Sequence, residues 1–218
     1  MQQDLFNSSN PVPEVINLDA KGQSYLLWFH GFYSRAQADS LFTELQATVP
    51  WEQAEIKIAG RILPIPRLQA WFGEPDAVYG YSGIELTPVP FTETLLTIKR
   101  DVENAGEKYI KPHLNCRFNS LLANLYRDGS DSVGWHADNE KPLGENPLIA
   151  SVSFGSKRRF SLKHRIDRSI APLHLDLDHG DLLLMAGATQ HQWQHQVPKT
   201  KACHSPRINL TLRKIHVK

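Results

Sequence analysis

The sequence predicts an α+β fold in which N-terminal helices and a β-hairpin precede a compact β core of the sandwich or jelly-roll kind. Two observations carry this reading. Apolar residues recur at helical spacing in two stretches before Asn104. After about Lys111 the texture changes to short strand-like runs separated by turn residues. A chain of 218 residues fits one domain with an N-terminal elaboration.

Taken in order, residues 1–23 are polar, broken by Asn10-Pro11, Pro13 and Lys21-Gly22, and read as an arm. Tyr25 to Phe29 is a strand candidate. Ser34 can cap a helix to about Ala47, because Ala38, Leu41, Phe42 and Leu45 share a face. Glu52 to Ala59 alternates like a strand, with Gly60 at the turn of a hairpin. Residues 64–90, rich in Pro, Gly and aromatic residues, read as long loops. A second helix is expected from about Phe91 to Asn104, with Gly106 as its stop. Eight runs follow, at 117–126, 132–137, 148–154, 158–164, 172–177, 181–186, 191–196 and 206–213. Strands at this spacing suit a jelly roll.

Composition narrows the class. Apolar residues at 41% can build a core, and two cysteines, Cys116 and Cys203, build no disulfide framework. A reducing compartment follows, cytoplasmic or, in a eukaryote, nuclear. The N-terminus lacks a signal peptide's basic and apolar regions, and no apolar run approaches the roughly 20 residues of a membrane span. Net charge is +1 but uneven: residues 1–56 carry seven acids and two bases, residues 157–218 twelve bases and four acids. A basic C-terminal third suits a polyanionic partner or, equally, a solvated face.

Two histidines and a carboxylate on one face, with open positions beside them, are the donor set of non-haem iron(II) oxygenases. His-x-Asp alone selects nothing. Ten histidines and twelve aspartates in 218 residues give about half an occurrence by chance, and three are present. His174/Asp176 lies in Leu173-His174-Leu175-Asp176-Leu177, where alternation sends the leucines inward. His179-Gly180-Asp181 reads as a turn. His136/Asp138 has no apolar alternation to explain it and is the better first pair. The third ligand belongs on a strand adjacent in space but several strands later. His195, 57 residues beyond Asp138, allows for that, whereas it lies only 19 beyond Asp176 and 14 beyond Asp181. His191 shares its face, so periodicity leaves the two open.

In Arg207 to Arg213, Ile208, Leu210 and Leu212 face one way and Arg207, Asn209, Thr211 and Arg213 the other. A strand with its polar side in water explains this. So does a polar side turned into a barrel, where two arginine forks match the two carboxylates of 2-oxoglutarate.

Asn124-Leu125-Tyr126-Arg127-Asp128-Gly129, His136-Ala137-Asp138-Asn139-Glu140, Ile149 to Gly155, His195-Gln196-Val197-Pro198 and Pro206 to Lys214 closely resemble the AlkB dioxygenases, nearest the branch acting on double-stranded DNA. The similarity covers most of the chain from about Ala47. It implies a double-stranded β-helix core at 111–218, helices and a β-hairpin nucleotide-recognition lid at 24–110, and an arm at 1–23. It implies iron(II) held by His136, Asp138 and His195, with 2-oxoglutarate and dioxygen as co-substrates. Arg207, with Tyr126 and Asn209, would hold the distal carboxylate, and Arg213 with Asn124 the other, on a polar face that Thr211 shares. The implied reaction is oxidative demethylation of 1-methyladenine- or 3-methylcytosine-type bases in DNA, a direct repair. The alternative is an oxygenase of the same chemistry acting mainly on RNA or protein.

By the same resemblance, Tyr79 and Tyr81 belong to the base-binding lid and Glu140 to the base edge. Ile58 and Ala59 match the finger that enters a duplex, although both are smaller than an aromatic wedge. The position after the ligand aspartate, often acidic in this branch, is Asn139. Lys199 and Lys201 would meet phosphates. The partner is expected to be DNA, single- or double-stranded, or RNA, engaged by a monomer.

Overall fold

Alternation along the central strands sends their apolar side chains into two main core layers, one on each face of the larger sheet. The computed structural model describes residues 11–58, 60–77, 79–81, 84–86, 88–110 and 116–216, with backbone alone at 57, 58, 79–81 and 84–86. The N-terminal part contains β1 (Glu14–Asn17), β2 (Ser24–Phe29), α1 (Arg35–Thr48), β3 (Glu55–Ile58), β4 (Arg61–Pro64), β5 (Leu68–Gly73), β6 (Tyr79–Tyr81), β7 (Ile84–Leu86) and α2 (Glu93–Tyr109). Then follow β8 (Ser120–Tyr126), β9 (Val133–His136), a 3-10 turn (Lys141–Leu143), β10 (Ile149–Gly155) and β11 (Arg158–His164). The chain closes with β12 (Leu173–Leu177), β13 (Leu182–Gly187), the short α3 (Thr189–Gln192), β14 (Trp193–Val197) and β15 (Arg207–Arg213).

Seven strands form one sheet in the order β1-β2-β13-β10-β15-β8-β5, and four form another in the order β12-β11-β14-β9. Pairing within them is antiparallel. This is the expected jelly-roll core. One face of the large sheet presents Leu27, Phe29, Val152, Leu184, Leu210 and Leu212, packed with Leu45 of α1 and Leu95, Ile98 and Val102 of α2. The other presents Leu26, Ile149, Leu183 and Met185, packed with Phe160, Leu162, Leu175 and Trp193 of the small sheet. Along β15 all seven residues are buried, so its polar face points between the sheets and not into water.

Helix α1 begins at a reciprocal cap: Ser34 Oγ accepts from Gln37 N, and Ser34 N donates to Gln37 Oε1. Helix α2 runs past the expected stop, and its final cap is Ile110, whose N–H donates to the Gly106 carbonyl. Gly106 serves close packing instead, since a Cβ there would overlap Cys116 Sγ.

Three further expectations are corrected. Residues 64–90 are not all loop: β5 is an edge strand of the large sheet, paired along β8, and β6 and β7 form a hairpin. His191 lies in α3, not on a strand. Within the stretch read as an arm, β1 pairs along β2. The β3–β4 hairpin forms as expected. Residues 1–10 and Ala59 lie outside the described residues, as do the side chains of Ile58, Tyr79 and Tyr81.

Candidate active site

The polar face of β15 is one row of a cross-strand grid. Ser153 of β10, Asn209 of β15 and Asn124 of β8 lie side by side, with Gln69 of β5 next in line. Ser151 stands beside Thr211, and Arg207 beside Tyr126. Asn209 and Thr211 are tied down. Asn209 Nδ2 donates to Ser151 Oγ (2.8 Å) and the Val152 carbonyl (3.1 Å), and Thr211 Oγ1 donates to Asn209 Oδ1 (3.0 Å).

Arg207 is different. Its Nη2 donates to Ser153 Oγ (2.9 Å), while Nε and Nη1 are buried with no hydrogen-bond partner among the described residues. Burial pulls its pKa down to about 10, with Tyr126 opposing the shift, so the guanidinium remains charged at neutral pH. A buried cation with idle donors fits a carboxylate guest, because such groups are costly to bury unpaired. Tyr126 lies under it, 5.4 Å from guanidinium carbon to ring centroid.

The metal-type donors meet at the other end of the same cavity. His136 on β9 stands opposite His195 on β14, with ring centroids 4.3 Å apart. Asp138 Oδ2 lies 3.9 Å from His195 Nε2, and one donor atom from each of the three residues falls within 4.8 Å of the others. His136 Nδ1 is 2.8 Å from the Gly134 carbonyl, which can only accept, so Nδ1 donates there and Nε2 is the nitrogen left for a metal. Burial, helped by His136, pushes His195 down to about 3, so its imidazole is neutral at pH 7. Burial opposes ionisation of Asp138, but Arg213, His195 and His136 outweigh it and hold the carboxyl at about 2. Arg213 Nη2 donates to Asp138 Oδ1 at 2.8 Å. Two imidazoles and one carboxylate, with the buried Arg207 in the same cavity, are a donor set that fits iron(II).

The rival His-x-Asp pairs do other work. His174 Nδ1 lies 2.8 Å from Ser161 Oγ, and Asp176 pairs with Arg159. His179 Nδ1 accepts from Gly155 N and its Nε2 faces Asp39. Asp181 receives Trp28 Nε1, Gly31 N and Asp178 N in a turn.

A second cavity, of about 110 Å³, adjoins the first and shares Arg67, Leu122, Val133, His136, Asp138 and Arg213 with it. Gln69, Trp71, Ala137 and Glu140 complete its wall. Glu140 Oε2 is buried there with no hydrogen-bond partner among the described residues. Sequence reasoning missed Arg67, Gln69 and Trp71. The signal was present: 67–72 alternates, with Leu68, Ala70 and Phe72 turned to the helical core. Arg67 Nε donates to Asn124 Oδ1 at 2.8 Å, so Asn124 is already engaged by a residue of the mouth.

Lys199 and Lys201 are exposed on the loop after β14. That loop is zipped to the turn after β8, where Gly129 N donates to the Cys203 carbonyl and Thr200 N to the Gly129 carbonyl. A Cβ at Gly129 would collide with the Thr200 carbonyl. Buried Arg158 fastens both segments, donating to the carbonyls of Asp128, Asp131 and Pro198.

The model of the 2OG-Fe(II) oxygenase superfamily matches residues 25–213. The chain is 40% identical over 210 residues to alpha-ketoglutarate-dependent dioxygenase alkB homolog 3 of Bos taurus, covering 92% of this chain and 70% of that protein. It is 36% identical over 215 residues to DNA oxidative demethylase ALKBH2 of Mus musculus, covering 93% and 84%. A solved structure of OsALKBH1 superposes with a TM-score of 0.63 at 17% identity, covering 87% of this chain and 97% of that one. That likeness concerns the fold.

Proposed function

From the membership of this chain in the AlkB group of the 2OG-Fe(II) oxygenase superfamily, we propose that it removes alkyl groups oxidatively from nucleic-acid bases, as a direct-reversal DNA repair enzyme. The observation that carries this reading is the junction of two cavities at His136 and Asp138. One cavity has the buried Arg207 at its end, and the other has the idle carboxylate oxygen of Glu140 in its wall. Bound iron(II), with 2-oxoglutarate and dioxygen, would supply the oxidising chemistry that hydroxylates the N-alkyl carbon, after which the adduct falls apart to free base and aldehyde.

The protein's own residues bind, orient and exclude water. His136, Asp138 and His195 would hold the metal. Arg207 would grip the distal carboxylate, beside Tyr126, and Arg213 would stand near the other while restraining Asp138. Asn209 and Thr211 brace the wall. Glu140 would accept an exocyclic N–H of the base, and its charge favours the cationic N-methylated form. Tyr79 and Tyr81 would supply the aromatic faces of the lid. Lys199 and Lys201 would contact phosphates, giving salt-dependent affinity without sequence choice. Ile58 and Ala59 would fill the gap left by an extruded base.

The test is formaldehyde release from methylated single- and double-stranded DNA and from methylated RNA. Release that requires both iron(II) and 2-oxoglutarate is expected from DNA. Release from RNA alone would move the substrate to RNA, and no release from any would refute the reading.

A further inference from the structure

We propose that Gln190 is a positioning residue for the metal site, its side-chain amide fixing the main chain at Asp138. The proposal rests on the reading of His136, Asp138 and His195 as ligands. Gln190 sits on α3 with 0% exposure. An amide so buried must find partners within the protein. Its Oε1 accepts from the backbone N–H of Asp138 at 3.0 Å, across 52 residues of sequence. Its Nε2 donates to Met185 Sδ at 3.5 Å, and Met185 lines the co-substrate cavity. A thioether is a weak acceptor, so the bond to Asp138 is the stronger of the two.

The other ligands need no such help. His136 and His195 lie on paired strands, and the His136 ring is held by Gly134. Asp138 lies beyond the end of β9, and its N–H is bonded by a side chain and not by a neighbouring strand. Arg213 holds its carboxylate, and Gln190 holds its main chain. The residue is 4% exposed, so water does not replace a lost amide. Helix α3 is a firm base for this contact. Thr189 Oγ1 donates to the Ala186 carbonyl (2.6 Å), and Gln192 Oε1 accepts from Ser24 Oγ of β2 (2.9 Å). Without Gln190, the Asp138 carboxylate loses its fixed distance to the two imidazoles while the fold around it persists.

The test is manganese(II) binding to the full-length, metal-free protein, read from the free-ion paramagnetic resonance signal, with unfolding temperature measured in parallel. Gln190→Met keeps the side chain's length and removes the acceptor. It is expected to weaken manganese binding about 10–100-fold, the usual cost of removing a group that orients a metal ligand. Gln192→Met removes a bond from the same helix but none to Asp138, and should bind manganese like the parent even if it unfolds earlier. Equal loss in both variants, or no loss in Gln190→Met, overturns the proposal. His136→Ala separates the two layers of inference: if it still binds manganese normally, the ligand assignment itself fails. If Gln190→Met does not fold, amide exchange in the unmutated protein decides. The Asp138 N–H is expected to be as protected as those of β15, and exchange at loop rates would overturn the assignment.

Discussion

The two cavities that meet at the metal-type cluster are built by opposite means. The inner one is walled by β8, β10 and β15 in the middle of the large sheet and closed by β14, so its groups are buried and cross-braced. The mouth is walled by the sheet edge β5 and by Ala137 and Glu140, which lie between β9 and the 3-10 turn. A small separate core of Trp71, Ala77, Leu143 and Ile215 supports it, with Asn119 bonded twice to Ile215. A cavity in a sheet centre accepts little change without cost to the fold, whereas an edge and its loops can vary. On the proposed function, the oxidising chemistry would belong to the inner cavity and substrate choice to the mouth.

The largest effect should come at the junction. His136→Ala, Asp138→Ala or His195→Ala is each expected to abolish formaldehyde release, since the donor set loses a member. His174→Ala and Asp176→Ala, in the rival pair, should keep most activity. A dead His174→Ala variant that still folds would move the site. Next comes the inner cavity alone. A hydrogen bond to a charged group contributes roughly 1.5–3 kcal/mol. Arg207→Ala should thus raise the 2-oxoglutarate requirement by at least about tenfold, while metal-dependent quenching of tryptophan fluorescence stays unchanged. An unaltered requirement would return Arg207 to a purely structural role.

Effects on the engagement of nucleic acid should be selective by substrate. Ile58→Asp is expected to cut repair of methylated duplex several-fold and leave the single strand nearly untouched, because only a duplex needs its gap filled after base extrusion, which costs a few kcal/mol. Equal loss on both would indicate damaged folding. The smallest contrast needs no assay of activity. Burial, reinforced by Glu103 and Glu107, pushes the Cys116 thiol up to about 12, while Cys203 lies partly exposed on the lysine loop. One thiol of the native protein should react with iodoacetamide at pH 8, and two after unfolding.

The same division explains what could be read in the sequence. Inner-cavity residues lie on long alternating strands. Arg207 to Arg213 displays its two faces directly, although alternation alone could not say that the polar face was roofed by a second sheet. The mouth is assembled from pieces too short or interrupted for periodicity. Strand β5 was hidden between Pro64, Pro66 and Gly73, and α3, at four residues, took in His191 from a stretch that alternates like a strand. The link from Gln190 to Asp138 and that from Arg67 to Asn124 cross 52 and 57 residues of sequence, and neither carries a local pattern. Gly106 was misread because a glycine that permits close packing and one that ends a helix look alike in a string.

The division of labour is tested most directly by one steady-state measurement. Formaldehyde release is followed over a grid of 2-oxoglutarate and methylated oligonucleotide concentrations for the parent, Arg207→Ala and Glu140→Ala. Arg207→Ala is expected to shift the 2-oxoglutarate dependence and leave the oligonucleotide dependence in place, and Glu140→Ala to do the reverse. If each variant shifts both dependences equally, or if the shifts are exchanged, the assignment of the inner cavity to co-substrate and of the mouth to the base is wrong.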